Sequence, residues 1–483
     1  MPRLLIALLL GLPVGAAADP ASPTPAPPPA TAKSPSAAAN PEGIWFGTLD
    51  AVTVKLRIAF RVTRKPDGTL GATLESLDQG DQEVAIERTT YAAPTLTFDL
   101  AARDIRYEAK LDGDTLTGTF TQKGHALPLT TRRVASLDGY KTPAKRPQEP
   151  RPPFPYHEEQ VSVRVPDSYA PGRAPASITL TGTLTIPPGK GPFPAVLLIT
   201  GSGPQDRDET VFGHKPFLVL ADALARAGVA TLRFDDRGTG SSGGSLKGLT
   251  TLDFARDTTA ELKLLAARPE ISPRALGLLG HSEGGIIAPI VATQTKLPAF
   301  LVLLAGTGMP GLPLLRLQRA ALMRAGGATA EQLDRAQRTN DKVLAIVAKE
   351  TDPRRIEAQV RTALAGDPEA LAEVLPTLPA MDAWLHTLLT LDPTVYLKKI
   401  KVPVLALNGE RDLQVDISNL ALIEAAVRAG GNTSVTTVRL PELNHLLQHA
   451  KTGAVSEYAT IEETIAPEAL RKICDWIVAT AHP

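Results

Sequence analysis

The chain's 483 residues exceed what one ordinary hydrophobic core organises, and 43 prolines beside an aromatic share of 4% set unpacked stretches next to folded ones. Lys plus Arg and Asp plus Glu each number 51, a balance that excludes long-range capture of nucleic acid or an anionic membrane and suits a small, neutral or mildly polar ligand. With Cys474 as the one cysteine, an intrachain disulfide is excluded and packing must hold the folded parts together.

Residues 1–18 open on Met-Pro-Arg, continue through the apolar run Leu4 to Val14 and end on Ala16-Ala17-Ala18. This is the pattern of a cleaved Sec signal peptide, which predicts export to the periplasm or beyond. The run falls short of the ~20 residues that span a bilayer. No later segment reads as a membrane span, and no cysteine stands at the cleavage point to take a lipid. Residues 19–42 are a linker of Pro, Ala, Ser and Thr that cannot bury enough surface to fold.

From 43 to 135 the texture turns to short alternating runs. Val52 to Val62, Leu70 to Leu77, Thr95 to Leu100, Ile105 to Leu111, Thr115 to Gln122 and Leu127 to Val134 read as strands. Pro66-Asp67-Gly68 and Asp112-Gly113-Asp114 mark turns between them. Six to eight antiparallel strands are expected, in a small all-β, barrel-like domain. A second Pro-rich linker, 136–156, follows.

Over 157–483 strand-like and helix-like segments alternate. The strand set is Val161 to Val165, Ile178 to Ile186, Ala195 to Thr200, Val229 to Phe234, Leu276 to Leu279, Phe300 to Leu304, Val404 to Leu407 and Ser434 to Leu440. Helical patterns cover Leu252 to Ala267, Glu283 to Thr293 and Ala469 to Ala479. Apolar strands without polar alternation imply a mostly parallel sheet with helices on both faces, a doubly wound α/β architecture. At about 307–390 the strand rhythm stops and Leu, Ala, Arg and Gln recur at helical spacing, so a helical cap near the ligand-binding strand ends is expected. Cys474, in the last helix, reads as a small buried hydrophobe.

Two pentapeptides fit Gly-x-Ser-x-Gly: Gly280-His281-Ser282-Glu283-Gly284 and Gly240-Ser241-Ser242-Gly243-Gly244. A serine nucleophile of this kind stands on a strained turn between a buried strand and a helix. Only Ser282 has such a strand before it, Ala275 to Leu279, and small residues after it, Gly284, Gly285 and Ala288. Ser242 follows a Gly/Ser-rich loop. Pro289 removes a donor early in the following helix without touching the nucleophile.

A serine hydroxyl needs a base to accept its proton and a carboxylate to orient that base, in chain order Ser, acid, His on such a sheet. Three histidines follow the acid region. His482 is penultimate and His449 lies a turn beyond His445, whereas His445 stands in the loop directly after a strand and is the candidate base. Asp412, in the loop after the strand Val404 to Leu407, is the candidate acid; Glu410 is a rival, and Asp416 reads as a helix N-cap. The oxyanion of a tetrahedral intermediate needs two donors. The backbone N–H groups of Glu283 and Ser202, the latter in Gly201-Ser202-Gly203-Pro204-Gln205-Asp206, are the candidates.

Together Gly201 to Asp208, Asp236-Arg237-Gly238-Thr239-Gly240-Ser241-Ser242, Gly280 to Gly285, Asn408 to Asp412 and Leu443-Asn444-His445 resemble the bacterial α/β-hydrolases of the serine aminopeptidase-like and carboxylesterase group, over roughly Glu158 to Trp476. The resemblance implies a triad of Ser282, Asp412 and His445, an oxyanion pair at Ser202 and Glu283, and a structural role for Asp236 and Arg237. Gly43 to Leu49 and Leu116 to Phe120 resemble the lipocalin-like β domains of some exported bacterial proteins. The expected activity is a serine carboxylesterase acting on short to medium acyl esters, since the cap is too short and too Arg-rich for a large lipid-binding face. The alternatives are a serine aminopeptidase or amidase and, in a different class, a non-catalytic envelope or ligand-binding protein. The chemistry is complete without metal or cofactor. Acyl length, leaving group and oligomeric state stay open.

Overall fold

The computed structural model describes residues 40–50, 55–77, 83–101, 104–122, 125–138, 140, 145–169 and 176–481. The expected signal peptide, residues 19–39 of the expected first linker, and His482 lie outside the described residues. The described residues divide into two units, an N-terminal one up to 140, with which 372–377 group, and a C-terminal one of 145–371 and 378–481.

The N-terminal unit is an antiparallel sheet of nine described strands: β1 (Gly43–Asp50), β2 (Lys55–Arg64), β3 (Leu70–Ser76), β4 (Val84–Ala85), β5 (Arg88–Ala92), β6 (Thr95–Leu100), β7 (Ile105–Asp112), β8 (Thr115–Gln122) and β9 (His125–Val134). Their order is β4-β3-β2-β1-β9-β8-β7-β6-β5. The first strand pairs with the last, Ile44 opposite Val134, which curls the sheet into a half-barrel. Alternation drives it: in β7, Ile105, Tyr107, Ala109 and Leu111 are buried and the residues between them exposed. The phenyl ring of Phe60 stacks on Tyr107 at 5.0 Å between centroids, beside the fully buried Trp45. Nine strands exceed the six to eight expected. β1, β4 and β5 fall outside the six runs read as strands; β4 and β5 are short edge strands, and β5 alternates exposed and half-buried positions and so lacks a strong apolar period.

The C-terminal unit holds eight strands: β10 (His157–Pro166), β11 (Ser177–Ile186), β12 (Phe193–Ile199), β13 (Ala230–Phe234), β14 (Ile271–His281), β15 (Phe300–Leu304), β16 (Val404–Gly409) and β17 (Val435–Leu440). Their order is β10-β11-β13-β12-β14-β15-β16-β17. β10, β11 and β13 pair antiparallel and the remaining pairs are parallel. Every residue of β13, β15 and β16 is buried, as two helix-covered faces require. On one face Val196, Leu198, Val302 and Leu405 pack with Phe217 and Leu224 of α1 (Pro216–Arg226) and with Ile473 and Ile477 of the C-terminal helix Pro467–Ala481. Each such side chain, fully buried, contributes about 1.5–3 kcal/mol. Helices α2 (Thr251–Ala266) and α3 (Gly284–Gln294) follow β13 and β14.

Strand order reverses at β12, whose neighbours β13 and β14 both come later in the chain, so the loops after β12 and β14 leave the sheet side by side. Between β15 and β16 five helices form the cap region: α4 (Gly311–Ala325), α5 (Ala330–Val347), α6 (Pro353–Ala363), α7 (Pro368–Val374) and α8 (Ala383–Thr390). The end of the expected second linker is strapped to this unit. The Arg146 guanidinium donates to the carbonyls of Phe212, Gly213, Ala459 and Ile461, and Gln148 bonds Thr464 and Ile465. Among the described residues no helix is long and apolar enough to cross a membrane.

Candidate active site

β14 delivers the chain into a turn at Ser282 whose φ is 54°, a conformation that L residues with a side chain adopt only when their surroundings enforce it. Three glycines do so. A Cβ on Gly280 would lie 2.0 Å from the Gly284 carbonyl oxygen, one on Gly284 2.2 Å from that of Ile199, and one on Gly285 2.7 Å from the Cα of Gly306. Helix α3 therefore starts in direct backbone contact with the strands beside it. The Ser282 N–H donates to the Leu304 carbonyl at 2.9 Å, which ties the turn to β15.

Ser242 is placed differently. Its Oγ donates to the Asp235 carbonyl at 2.8 Å and accepts from the Thr181 N–H at 2.9 Å, so its hydroxyl is committed to holding a loop. The neighbouring motif residues are also engaged in structure. Arg237 bridges Asp257 and the carbonyls of Pro166 and Asp167. Asp236 accepts from Thr200 and from the Gln205 N–H, and burial holds its carboxyl well above the usual range.

The loops after β16 and β17 bring Asp412 and His445 together. Asp412 Oδ1 accepts from the N–H groups of Gln414 and Val415 at 2.7 and 2.9 Å, leaving Oδ2 to meet His445 Nδ1 at 2.8 Å. Both side chains are wholly buried. Gly409 lets the loops approach, since a Cβ there would lie 2.1 Å from the Leu443 carbonyl oxygen. His445 Nε2 is buried without a partner, although a buried ring nitrogen ordinarily finds one. Its rivals serve elsewhere: His449 pairs with Glu463 and Glu468 on the surface, and Glu410 with Arg439. Asp416 is not the helix N-cap expected of it. That position belongs to Ser418, and Asp416 caps the preceding turn by accepting the Ser418 N–H.

Register sets the oxyanion side. Ile199 lies opposite Gly280, so Gly201 falls beside Ser282; a Cβ built on Gly201 would be 3.3 Å from the Ser282 Cβ. The Gly201 N–H is taken by Glu209 at 2.7 Å. Among the described residues the N–H groups of Ser202 and Glu283 have no acceptor. Ser202, Ser282 and Glu283 line one cavity. Its opposite wall is apolar, from Leu314, Leu315 and Leu388 of the cap, with Gln414 and Trp384 as polar edges. Such a cavity suits a small, largely apolar group held against a few polar atoms.

Several residues around the site were not singled out by the sequence. Trp384 donates its indole N–H to Glu283 Oε1 at 2.9 Å, and Thr251 donates to the same oxygen at 2.7 Å. Tyr458, whose hydroxyl burial pushes far above its ordinary value, accepts from the Gln414 amide and from the His445 N–H. His281, inside the recognised pentapeptide, contacts Glu209 through Nδ1 at 2.9 Å and the His445 carbonyl through Nε2 at 3.0 Å. Burial pulls its pKa down, but the charge and hydrogen bond of Glu209 outweigh this and hold it above the ordinary value. Among the described residues no group of three or more His, Cys, Asp or Glu could hold a metal ion.

The chain is similar to several known proteins. The chain is 27% identical over 268 residues to the esterase EstD of Thermotoga maritima, an overlap that takes in 56% of this chain and 58% of that one. Among solved structures, the esterase Pf2001 of Pyrococcus furiosus aligns at 18% identity and a TM-score of 0.41, covering 67% of this chain and 91% of its own. Est1E of Butyrivibrio proteoclasticus, solved with ferulic acid bound, aligns at 17% identity and a TM-score of 0.38 over 62% of this chain and 96% of its own. The alpha/beta hydrolase family model matches residues 196–457, from β12 through both loops that carry Asp412 and His445, and the chain belongs to that family.

Proposed function

We propose that this protein is a serine carboxylesterase that cleaves short to medium acyl esters through an acyl-enzyme. The observation that carries the reading is the buried, unpartnered Nε2 of His445, backed at Nδ1 by Asp412 while Ser282 stands on its strained turn. In this mechanism Ser282 Oγ attacks the ester carbonyl carbon as His445 Nε2 takes the hydroxyl proton, and Asp412 stabilises the imidazolium. The N–H groups of Ser202 and Glu283 receive the oxyanion. Collapse expels the alkoxide, which leaves as the alcohol with the proton from His445. A water, deprotonated by His445, then adds to the acyl-enzyme and releases the acid and Ser282.

The leucine lining of the cavity beside Ser282 supports a short to medium acyl group. The cavity wall offers little for the free amine an aminopeptidase would bind: Glu283 is its acidic residue, and Oε1 already accepts from Thr251 and Trp384. Ser282→Ala should lower kcat for p-nitrophenyl acetate and butyrate by at least about 10⁴-fold and abolish fluorophosphonate labelling. Undiminished turnover would overturn the assignment, and faster cleavage of amino-acyl arylamides than of esters would move it to the peptidase reading. Residues 1–18 are proposed to direct export, so the exported protein should begin near residue 19 on N-terminal sequencing.

A further inference from the structure

The loops after β12, β14 and β17 meet at one buried carboxyl and one buried imidazole outside the Ser282–His445–Asp412 set. Glu209 is 2% exposed and His281 7%. Glu209 Oε1 faces both the Gly201 N–H at 2.7 Å and His281 Nδ1 at 2.9 Å, and His281 Nε2 faces the His445 carbonyl oxygen at 3.0 Å. A carbonyl only accepts, so Nε2 must bear a proton. Oε1 already accepts from the Gly201 N–H, and with Glu209 as a carboxylate its contact to Nδ1 requires a second proton on the ring. Glu209 itself has φ 54° and a buried, unpartnered Oε2, features that a merely space-filling residue does not need.

We propose that Glu209 and His281 form a buried carboxylate–imidazolium pair that positions the oxyanion loop and the His445 loop against the Ser282 turn. The inference rests on the assignment of Ser282, His445 and the oxyanion donors. Neither residue touches substrate; the pair is a positioning device. Glu209 holds Gly201, and through it Ser202, in place, while His281 holds the His445 backbone with its ring centroid 4.8 Å from that of His445. A neutral His281 has one ring proton for two acceptors and must release one contact. The titratable groups facing its ring are Glu209 from the loop after β12, Asp412 from the loop after β16 and His445 from the loop after β17. The two carboxylates favour the cation; burial opposes it.

Two measurements test this. In the wild-type enzyme labelled with ¹⁵N-histidine, and with His281 assigned by its disappearance in His281→Gln, both His281 ring nitrogens should show the protonated signature at pH 7.5. A neutral-tautomer pattern there would overturn the proposal, whether or not Ser282 proves to be the nucleophile. In Glu209→Gln, which keeps an acceptor and removes the charge, kcat should fall about 10- to 100-fold with KM within about twofold. The alkaline limb of its kcat/KM profile should begin at lower pH, because His281 then loses its proton earlier. Superimposable profiles from a folded Glu209→Gln would also sink the idea; if that variant does not fold, the wild-type spectrum decides. A Ser282→Ala enzyme that kept its esterase activity would refute the underlying assignment and leave the His281 spectrum unaffected.

Discussion

Trp384, on helix α8 of the cap, donates its indole N–H to the carboxylate of Glu283, the residue that follows Ser282 in the turn. The cap is thereby fastened to the Ser282 turn by a buried hydrogen bond, and the indole is also a wall of the cavity. Trp384→Phe keeps most of the ring and loses the donor. We expect KM for a butyrate-length ester to rise about three- to tenfold, in line with the loss of one hydrogen bond to a charged group, with a smaller change for acetate. An ester panel read in parallel with the wild type measures both, and an unchanged acyl preference would show that the contact has no part in specificity.

Ser242 and Ser282 occupy similar pentapeptides and should respond oppositely to alanine. Ser242→Ala removes a donor to Asp235 and an acceptor for Thr181 in a buried loop. It should cost about 1–3 kcal/mol in denaturant unfolding while kcat and covalent labelling stay within twofold of wild type. A collapse of labelling in that variant would reopen the choice of nucleophile.

Gly284→Ala tests whether the turn's close contacts set activity. Its Cβ would press on the carbonyl oxygens of Ile199 at 2.2 Å and Thr200 at 2.8 Å, directly before the oxyanion loop. Displacing that loop by a fraction of an ångström should reduce kcat about 100-fold or more. Circular dichroism separates this loss from unfolding, and a fully active variant would show that helix and strand can part without consequence.

His214 gives a pH prediction of opposite sense to His281. It is fully buried, with Nε2 facing the Tyr458 carbonyl at 2.9 Å and Nδ1 facing the Thr464 hydroxyl at 3.1 Å. Nε2 therefore bears the proton, Nδ1 accepts, and burial pulls the pKa down from 6.5 to about 4. The unfolded chain binds this proton more readily, so the contribution to stability is complete above pH 6.5 and fades as pH falls toward 4. Thermal melts should show Tm decreasing over that window, and His214→Gln should be less sensitive to pH across it. Parallel curves would refute the assignment.

The sheet was legible because β13, β15 and β16 are buried on both faces and advertise themselves as unbroken apolar runs. Ser282 and Asp412 stood out because each directly follows an apolar strand or lies in the loop after it, and His445 because it lies in the loop after the last strand, β17, whose burial is mixed. Helix α1 was harder to see. Seven of its residues are buried, including the consecutive pair Pro216 and Phe217 and the triplet Val219, Leu220 and Ala221, which blurs the helical period. Trp384 and Tyr458 reach the site only through tertiary folding, from a cap helix and a short 3₁₀ segment, so no local spacing marks them. His281 did lie inside a recognised motif, and Glu209 stands one residue beyond another, Gly201 to Asp208. Their signal was a carboxyl eight residues beyond Gly201 and a histidine beside the serine, and only the fold shows that they meet.

Cap insertion between β15 and β16 also has a temporal consequence. His281 and His445 are 164 positions apart in the chain yet in hydrogen-bond contact, and the sheet positions for Asp412 and His445 are filled only by β16 and β17, after all five cap helices. A growing polypeptide therefore carries the Ser282 segment before the residues of β16 and β17 have been made. Under the mechanism proposed above the base arrives last, and activity is expected only once the loop after β17 is in place.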